Sequence, residues 1–442
     1  MARTLSEPET ATIDSVTQDG RGVASVKGKK VFISGALKGE TVRFRRRKKR
    51  RKYDEAELLE VLEPSPIRIE PKCAVFGMCG GCVSQHINGH EQRLIKELEL
   101  KNSLERIGRV APSHWLDSLY DESVEGGWHY RRRARLAVKD VPAKGRVLVG
   151  FRERYAPYVC DMHRCEVLTK PVDSLINPLS KLVGALSIRS RLPQIEVAVG
   201  DETISLTFRV LDHPTEMDLM AFRKFATLYN VQVFLQYSGP ASIKILKGIK
   251  PAPLKYSLPE FAVQIEFGPL DFVQVNKVVN RLMVSKAIDL LNINESHDIL
   301  DLFCGIGNFS LPLASRAHNV LGLDIEDHQV RRGRKNAQLN EINNCEFLKA
   351  DLSSIDGSEH WMKIDWDRIL LDPARSGAHQ IVGNIETIGA PRIVYISCHP
   401  GTLARDAGIL VNEKGYELEA AGIIDMFPNT GHVESIAVFQ KN

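Results

Sequence analysis

Long hydrophobic runs are missing from this chain: nowhere in its 442 residues does an apolar stretch approach the roughly 20 residues of a membrane-spanning helix. An integral helical membrane protein is therefore not expected. Nor is a leader expected. Met1-Ala-Arg-Thr-Leu-Ser-Glu has neither the apolar segment nor the small-residue cleavage site of a secretory signal, so the expected compartment is the cytoplasm. No repeat of fixed period and no long low-complexity tract occurs, which sets aside solenoid and disordered architectures. With 43% hydrophobic and 26% charged residues the composition is that of a soluble globular protein, and the length calls for two or three domains.

Excess charge of either sign is small, +4 overall, but it is unevenly spread. Residues 1–65 carry 15 Lys or Arg against 10 Asp or Glu, whereas residues 66–442 carry 44 against 45. Alternating segments at Thr12–Val16, Val23–Val26, Lys30–Ile33 and Glu40–Phe44, separated by Asp19-Gly20, Lys27-Gly28 and Lys38-Gly39, predict a small β-barrel. Its basic run, Arg43–Lys52, contains Phe44 and ends at Tyr53, which suits phosphate neutralisation with an aromatic ring for stacking. A charged, solvated strand edge is the competing reading. Pro64-Ser65-Pro66 marks a boundary, and a helix is expected over His90–Ile107.

Residues 66–260 mix strand patterns (Arg135–Val138, Val147–Phe151, Gln194–Val199) with helical ones (Val172–Leu186, Glu216–Leu228), predicting a central α+β domain. In residues 261–442, apolar runs at His297–Phe303, Val320–Leu323, Arg368–Leu371 and Arg392–Ser397 alternate with helix-length segments, the rhythm of a Rossmann-like α/β domain with a parallel sheet.

Eight cysteines in a large chain with no leader point to metal binding or catalysis rather than disulfides. Cys73, Cys79 and Cys82 lie in a glycine-rich stretch, Phe76-Gly-Met-Cys-Gly-Gly-Cys, that can fold tightly around a bound centre. Cys165 is the first candidate for a fourth ligand, with Cys160 its competitor. Four thiolates suit zinc or an iron–sulfur cluster, and the spacing leans to the cluster.

Asp-Leu-Phe-Cys-Gly-Ile-Gly-Asn-Phe-Ser, residues 301–310, follows an apolar strand and opens a helix, where open α/β sheets bind nucleotides. Ser310 stands where a dinucleotide fingerprint would place its third glycine, which disfavours hydride transfer. Asp324 ends the next strand, placed to accept from ribose hydroxyls, and Asp351 is placed to address an adenine amine. Either carboxylate taken singly reads as an exposed strand end.

Cys398, in Val394-Tyr-Ile-Ser-Cys-His-Pro, lies just past another strand of that sheet. Alone it reads as buried packing. Asp372-Pro-Ala-Arg and Glu434, which follows Phe427-Pro-Asn-Thr-Gly-His-Val, change that reading by adding an orienting acid and a base. Uracil C5 becomes nucleophilic only after another group adds at C6, a task suited to a thiolate, and the C5 proton must then leave to a carboxylate. Such chemistry cannot reach a stacked base, so a flipped or unpaired uridine in folded RNA is the expected substrate.

With these residues assembled, the chain resembles the RNA uracil-C5 methyltransferases over essentially its whole length, most closely the branch that modifies 23S ribosomal RNA. The resemblance implies an N-terminal TRAM barrel, with Asp19-Gly-Arg-Gly-Val-Ala and Val31-Phe-Ile-Ser-Gly-Ala-Leu-Lys-Gly-Glu matching its signature. It implies a 4Fe-4S cluster on Cys73, Cys79, Cys82 and Cys165, with Cys160 a bystander. It implies S-adenosylmethionine bound through Gln274, Phe303, Asn308, Asp324, Asp351 and Asp372, with Cys398 as nucleophile and Glu434 as base. A monomer is expected. Two positions depart from the family pattern: Asp324 replaces a glutamate, and His399 stands where asparagine is common. The barrel and the cysteine cluster, both expected to be lacking in a tRNA-specific relative, are expected to distinguish the chain from such enzymes. The alternatives are the same chemistry on another 23S uridine and, from a different class, a non-catalytic RNA-binding or electron-transfer iron–sulfur protein.

Overall fold

The computed structural model describes residues 7–17, 19–123 and 126–441. The expectation of no leader rests in part on residues 1–6, which lie outside them.

Six strands form the N-terminal sheet: β1 (Glu9–Thr12), β2 (Ser15–Val16), β3 (Arg21–Val26), β4 (Lys29–Ser34), β5 (Thr41–Lys49) and β6 (Tyr53–Glu63), in the order β1-β5-β6-β4-β3-β2. β1 and β2 are two halves of one bent segment, bonded to β5 on one side and β3 on the other, which closes the sheet on itself. Alternation buries Ile13, Ala24, Val31, Ile33, Val42 and Phe44 inside. Gly22 is required by close approach: a Cβ there would meet the Ala36 carbonyl oxygen at 2.8 Å.

The basic run is long in strand and largely paired. Arg43 meets Glu60 at 2.6 Å, Arg46 meets Glu9 at 2.6 Å as well as Asp54, and Arg45 and Arg47 flank Glu57 at 3.8 and 3.7 Å. Phe44 faces the core and is unavailable for stacking, because the period-2 alternation that exposes Arg43 turns its neighbour inward. Tyr53 stays 36% exposed, edge-on to Phe32.

After the cysteine segment comes α1 (Gly89–Ser103), capped by the Asn88 side chain on the Glu91 N–H. β7 (His114–Trp115) follows. The central sheet runs β13-β12-β11-β10-β8-β9, built from β8 (Arg133–Val141), β9 (Arg146–Gly150), β10 (Gln194–Val199), β11 (Ile204–Arg209), β12 (Gln232–Gln236) and β13 (Ile243–Ile245). It is backed by α2 (Ile176–Ala185) and by α3 (Glu216–Tyr229), which opens on a Thr215–Asp218 capping box. A hairpin, β14 (Leu254–Leu258) and β15 (Val263–Phe267), leads to α4 (Lys277–Leu291).

The C-terminal sheet has eight strands in the order β18-β17-β16-β19-β20-β22-β21-β7. Its parallel members are β16 (Asp298–Leu302), β17 (Asn319–Asp324), β18 (Cys345–Lys349), β19 (Arg368–Leu371) and β20 (Arg392–Ser397). The helices of this region are α5 (Ser310–Ala314), α6 (Asp327–Leu339), α7 (His379–Gly383), α8 (Ile385–Ile388) and α9 (Pro400–Asn412). β21 (Glu417–Ile424) and β22 (Glu434–Gln440) close the domain, β22 running antiparallel to β20. Two elements from far upstream join it. β7 pairs in parallel with β21, and α1 lies beside β21, with Lys96 and Asp425 bridged at 2.7 Å while nearly fully buried. No helix among the described residues is long and apolar enough to cross a membrane.

Candidate active site and cysteine cavity

The carboxyl ends of β16, β17, β19 and β20 share one edge of the sheet, and Phe303, Asp324, Asp372 and Cys398 lie at or just past those strand ends, whereas Gln274 lies before α4. After β16 the chain turns sharply: Phe303 holds φ 68, and the Phe303 and Cys304 amides both donate to the Leu323 carbonyl, at 2.9 and 3.0 Å. Asp324 accepts from the Gly305 amide at 3.0 Å and from the Glu326 amide at 2.9 Å. The shorter side chain, anchored at both oxygens, fixes the 301–310 turn to β17. Asn308 exchanges hydrogen bonds with Asn280 at 3.0 Å in each direction and accepts from the Tyr256 hydroxyl at 2.8 Å. Asp351 is exposed and accepts from Ser353 and Ser354, which hold its carboxyl below the usual range. Gln274 is buried, and its carbonyl accepts from Arg132 at 2.8 Å.

Asp301 is fully buried, with one carboxylate oxygen bonded by Ser310 and the other without a protein partner. Burial, with Asp372 and Asp324 nearby, pushes it up to about 7, and burial brings Asp372 to about 7 as well. Carboxyls from the ends of β16, β17 and β19 thus converge, an arrangement that favours a positively charged ligand.

Cys398 follows β20 directly and His399 caps α9, accepting from the Thr402 amide at 3.2 Å. Ser397 pairs with Ser435 across β20 and β22, so Glu434 arrives beside Cys398. Glu434 is buried, and burial with Asp372 nearby raises it to about 8. The half-buried Cys398 thiol is raised to about 11 by burial and by Glu434 and Asp372, against which the Arg375 guanidinium pulls it down. One thiol and two carboxyls, Cys398 with Glu434 and Asp372, therefore lie close together.

Cys73, Cys79, Cys82 and Cys165 line one cavity of about 220 Å³, together with Thr430 and His432. Burial raises all four thiols, Cys82 to about 12 and Cys165 to about 11. Thiolates there require a positive centre, which is the chemistry of a metal-binding donor set. Among the described residues, no group of three or more His, Cys, Asp or Glu side chains is arranged around a single ion. Cys160 is buried next to Cys79 and is absent from the cavity wall.

Sequence reasoning missed Tyr256 and Asn280, which pin Asn308 from 52 and 28 residues away, and the roles of Arg375 and His432. The last two sit inside motifs already singled out, Asp372-Pro-Ala-Arg and Phe427-to-Glu434, and were legible there.

Residues 263–442 match the tRNA (uracil-5-)-methyltransferase family model. The chain is 46% identical to the 23S rRNA (uracil(1939)-C(5))-methyltransferase RlmD of Alkalilimnicola ehrlichii, covering 98% of this chain and 97% of that protein. It is 43% identical to the RlmD of Legionella pneumophila, with 98% and 97% covered. The chain belongs to the RlmD family. RlmD relatives thus bear out the resemblance to RNA uracil-C5 methyltransferases.

Among solved structures, the Pyrococcus abyssi tRNA (uracil-54, C5)-methyltransferase in complex with S-adenosyl-L-homocysteine matches with a TM-score of 0.76 at 23% identity, over 97% of this chain and 99% of that one. This likeness supports the α/β methyltransferase fold. It also corrects one expectation: a tRNA methyltransferase shares the fold over nearly the full length, so the N-terminal barrel does not separate ribosomal from transfer RNA enzymes.

Proposed function

We propose that this chain transfers a methyl group from S-adenosylmethionine to C5 of a uridine in 23S ribosomal RNA, at the position equivalent to 1939. The convergence of Cys398, Glu434 and Asp372 at the carboxyl edge of the sheet carries this reading. The Cys398 sulfur adds to C6 of a flipped or unpaired uracil, and the electron pair moves through C5 to the O4 enolate. S-adenosylmethionine supplies the methyl group that C5 then takes. Glu434 removes the C5 proton, and the C6–S bond breaks to release 5-methyluridine and restore the thiolate. Gln274, Phe303, Asn308, Asp324, Asp351 and Asp372 would hold the cofactor, and the carboxyls gathered around Asp301 would favour its positive charge. RNA docks with help from the N-terminal barrel, which we assign as a TRAM domain. The shared cavity and the exclusion of Cys160 from its wall support a 4Fe-4S cluster on Cys73, Cys79, Cys82 and Cys165, serving structure and RNA binding. We further propose a cytoplasmic monomer with domains at residues 1–65, 66–260 and 261–442.

Incubation with tritiated-methyl S-adenosylmethionine and unmodified 23S transcript, followed by nuclease mapping, tests this. One 5-methyluridine at the 1939-equivalent position is expected. Label at another uridine would change the target, and no label from protein with its metal intact would favour the RNA-binding reading.

A further inference from the structure

One loop, Phe427–Val433, serves two sites. On one side it is fastened to the cysteine segment: the Asn429 carbonyl accepts from the Val83 amide at 2.9 Å and the Ser84 amide at 3.3 Å. Gln92 of α1 clamps the same residue, accepting from the Asn429 amide at 2.8 Å and donating to its side-chain oxygen at 3.1 Å. Thr430 and His432 then form part of the wall of the four-cysteine cavity. On the other side the loop runs straight into Glu434 at the start of β22.

His432 also reaches across to the loop after β19. Its Nδ1 lies 2.8 Å from Nη2 of Arg375. A guanidinium can only donate, so Nδ1 accepts and the ring proton sits on Nε2. The Phe427 ring packs against the imidazole at 5.2 Å and steadies it. Arg375 is itself held at the start of α9, where its carbonyl accepts from the Thr402 hydroxyl at 3.3 Å, just past Cys398.

We propose that the Phe427–Val433 loop links the four-cysteine cavity mechanically to the methyl-transfer site, with His432 as the positioning residue that holds Arg375 beside Cys398. Arg375 supplies a positive charge at the thiol that Glu434 and Asp372 oppose. The loop thereby ties the wall of the cysteine cavity to the group that sets the charge around Cys398. This inference rests on Cys398 being the nucleophile.

The test uses metal-loaded full-length protein and two readouts. The pH profile of Cys398 alkylation by iodoacetamide, followed on its own peptide by mass spectrometry, requires no RNA. Methylation kinetics supply kcat and KM for RNA. His432→Ala is expected to move the alkylation profile to higher pH and to lower kcat about five-fold, the net size of one such hydrogen bond, with KM for RNA and metal content unchanged. His432→Gln, whose amide oxygen can accept from Arg375, is expected to restore both. Arg375→Met, at an exposed position, should reproduce the His432→Ala profile, and the double variant should add nothing further. An unmoved alkylation profile in His432→Ala, or full additivity with Arg375→Met, overturns the proposal. Wild-type protein that fails to methylate RNA while the profile still shifts would reject the proposed reaction and leave the positioning role standing.

Discussion

Ser397 and Ser435 face each other in the antiparallel β20–β22 pair, and the next residue on one strand and the preceding residue on the other are Cys398 and Glu434. Their partnership is set by strand register, so each can be removed chemically without moving its neighbour. Cys398→Ala should abolish methyl transfer while RNA binding persists. Glu434→Gln should still form the C6 adduct and methylate it, then stall, because the C5 proton has no acceptor. Turnover falls by about 10²–10⁴ and a methylated RNA–protein adduct accumulates on denaturing gels. A turnover-competent Cys398→Ala protein would refute the nucleophile assignment.

Acting as a base, Glu434 must be ionised, and its carboxyl is raised to about 8. Release of 5-methyluridine under single-turnover conditions should therefore rise with pH from 6 towards 9. Stability runs the other way. The native carboxyl holds its proton more tightly than the unfolded one, so its stabilising contribution is complete below about 4.5 and disappears as pH climbs through about 8. Glu434→Gln should accordingly raise Tm over wild type at pH 9 and leave it nearly unchanged at pH 4.5.

Lys96 on α1 meets Asp425 at 2.7 Å and donates to the Phe427 carbonyl at 3.0 Å. With both charges buried, Lys96→Met leaves an uncompensated carboxylate and should cost about 3–5 kcal/mol in denaturant unfolding. Adding Asp425→Leu should recover most of the loss. An equally unstable double variant would show that packing rather than charge is at issue.

If the proposed cluster is held as assigned, iron content should distinguish the cysteines. Serine at Cys73, Cys79, Cys82 or Cys165 should reduce bound iron in purified protein, whereas Cys160→Ser should retain it. Loss at Cys160 equal to loss at Cys165 would return the fourth ligand to the competitor.

Much of this was legible in the sequence. Apolar runs located β16, β17, β19 and β20 within a residue or so, and the alternating N-terminal segments located β3 and β4, because period and turn chemistry are local. Strand order is not local. Nothing in Glu417–Ile424 or His114–Trp115 announces that these segments pair, since the contact spans about 300 residues of chain. A linear division of domains at residue 260 likewise places α1 and β7 with the central sheet, although both pack with the last strands. At the site, a carboxylate at a strand end was visible in Asp324, but its grip on the Gly305 and Glu326 amides was not. Phe44 shows the same limit inside the basic run. Composition makes the segment look like a binding surface, while pleating sends the ring into the core and β6 supplies counter-ions for its neighbours.

The attachment of β7 and α1 to the final strands also dictates an order of assembly. During synthesis these segments emerge long before β21, and at roughly 5–20 residues per second the delay is on the order of tens of seconds. Over that interval Lys96 waits without Asp425, and Leu94, Leu98 and Trp115 have no sheet to lie beside. The N-terminal barrel and central sheet can close while the ribosome is still working, but the methyl-transfer edge takes shape only when the last two strands leave the exit tunnel. Each molecule thus becomes competent only after β21 and β22 have emerged to receive the segments made long before them.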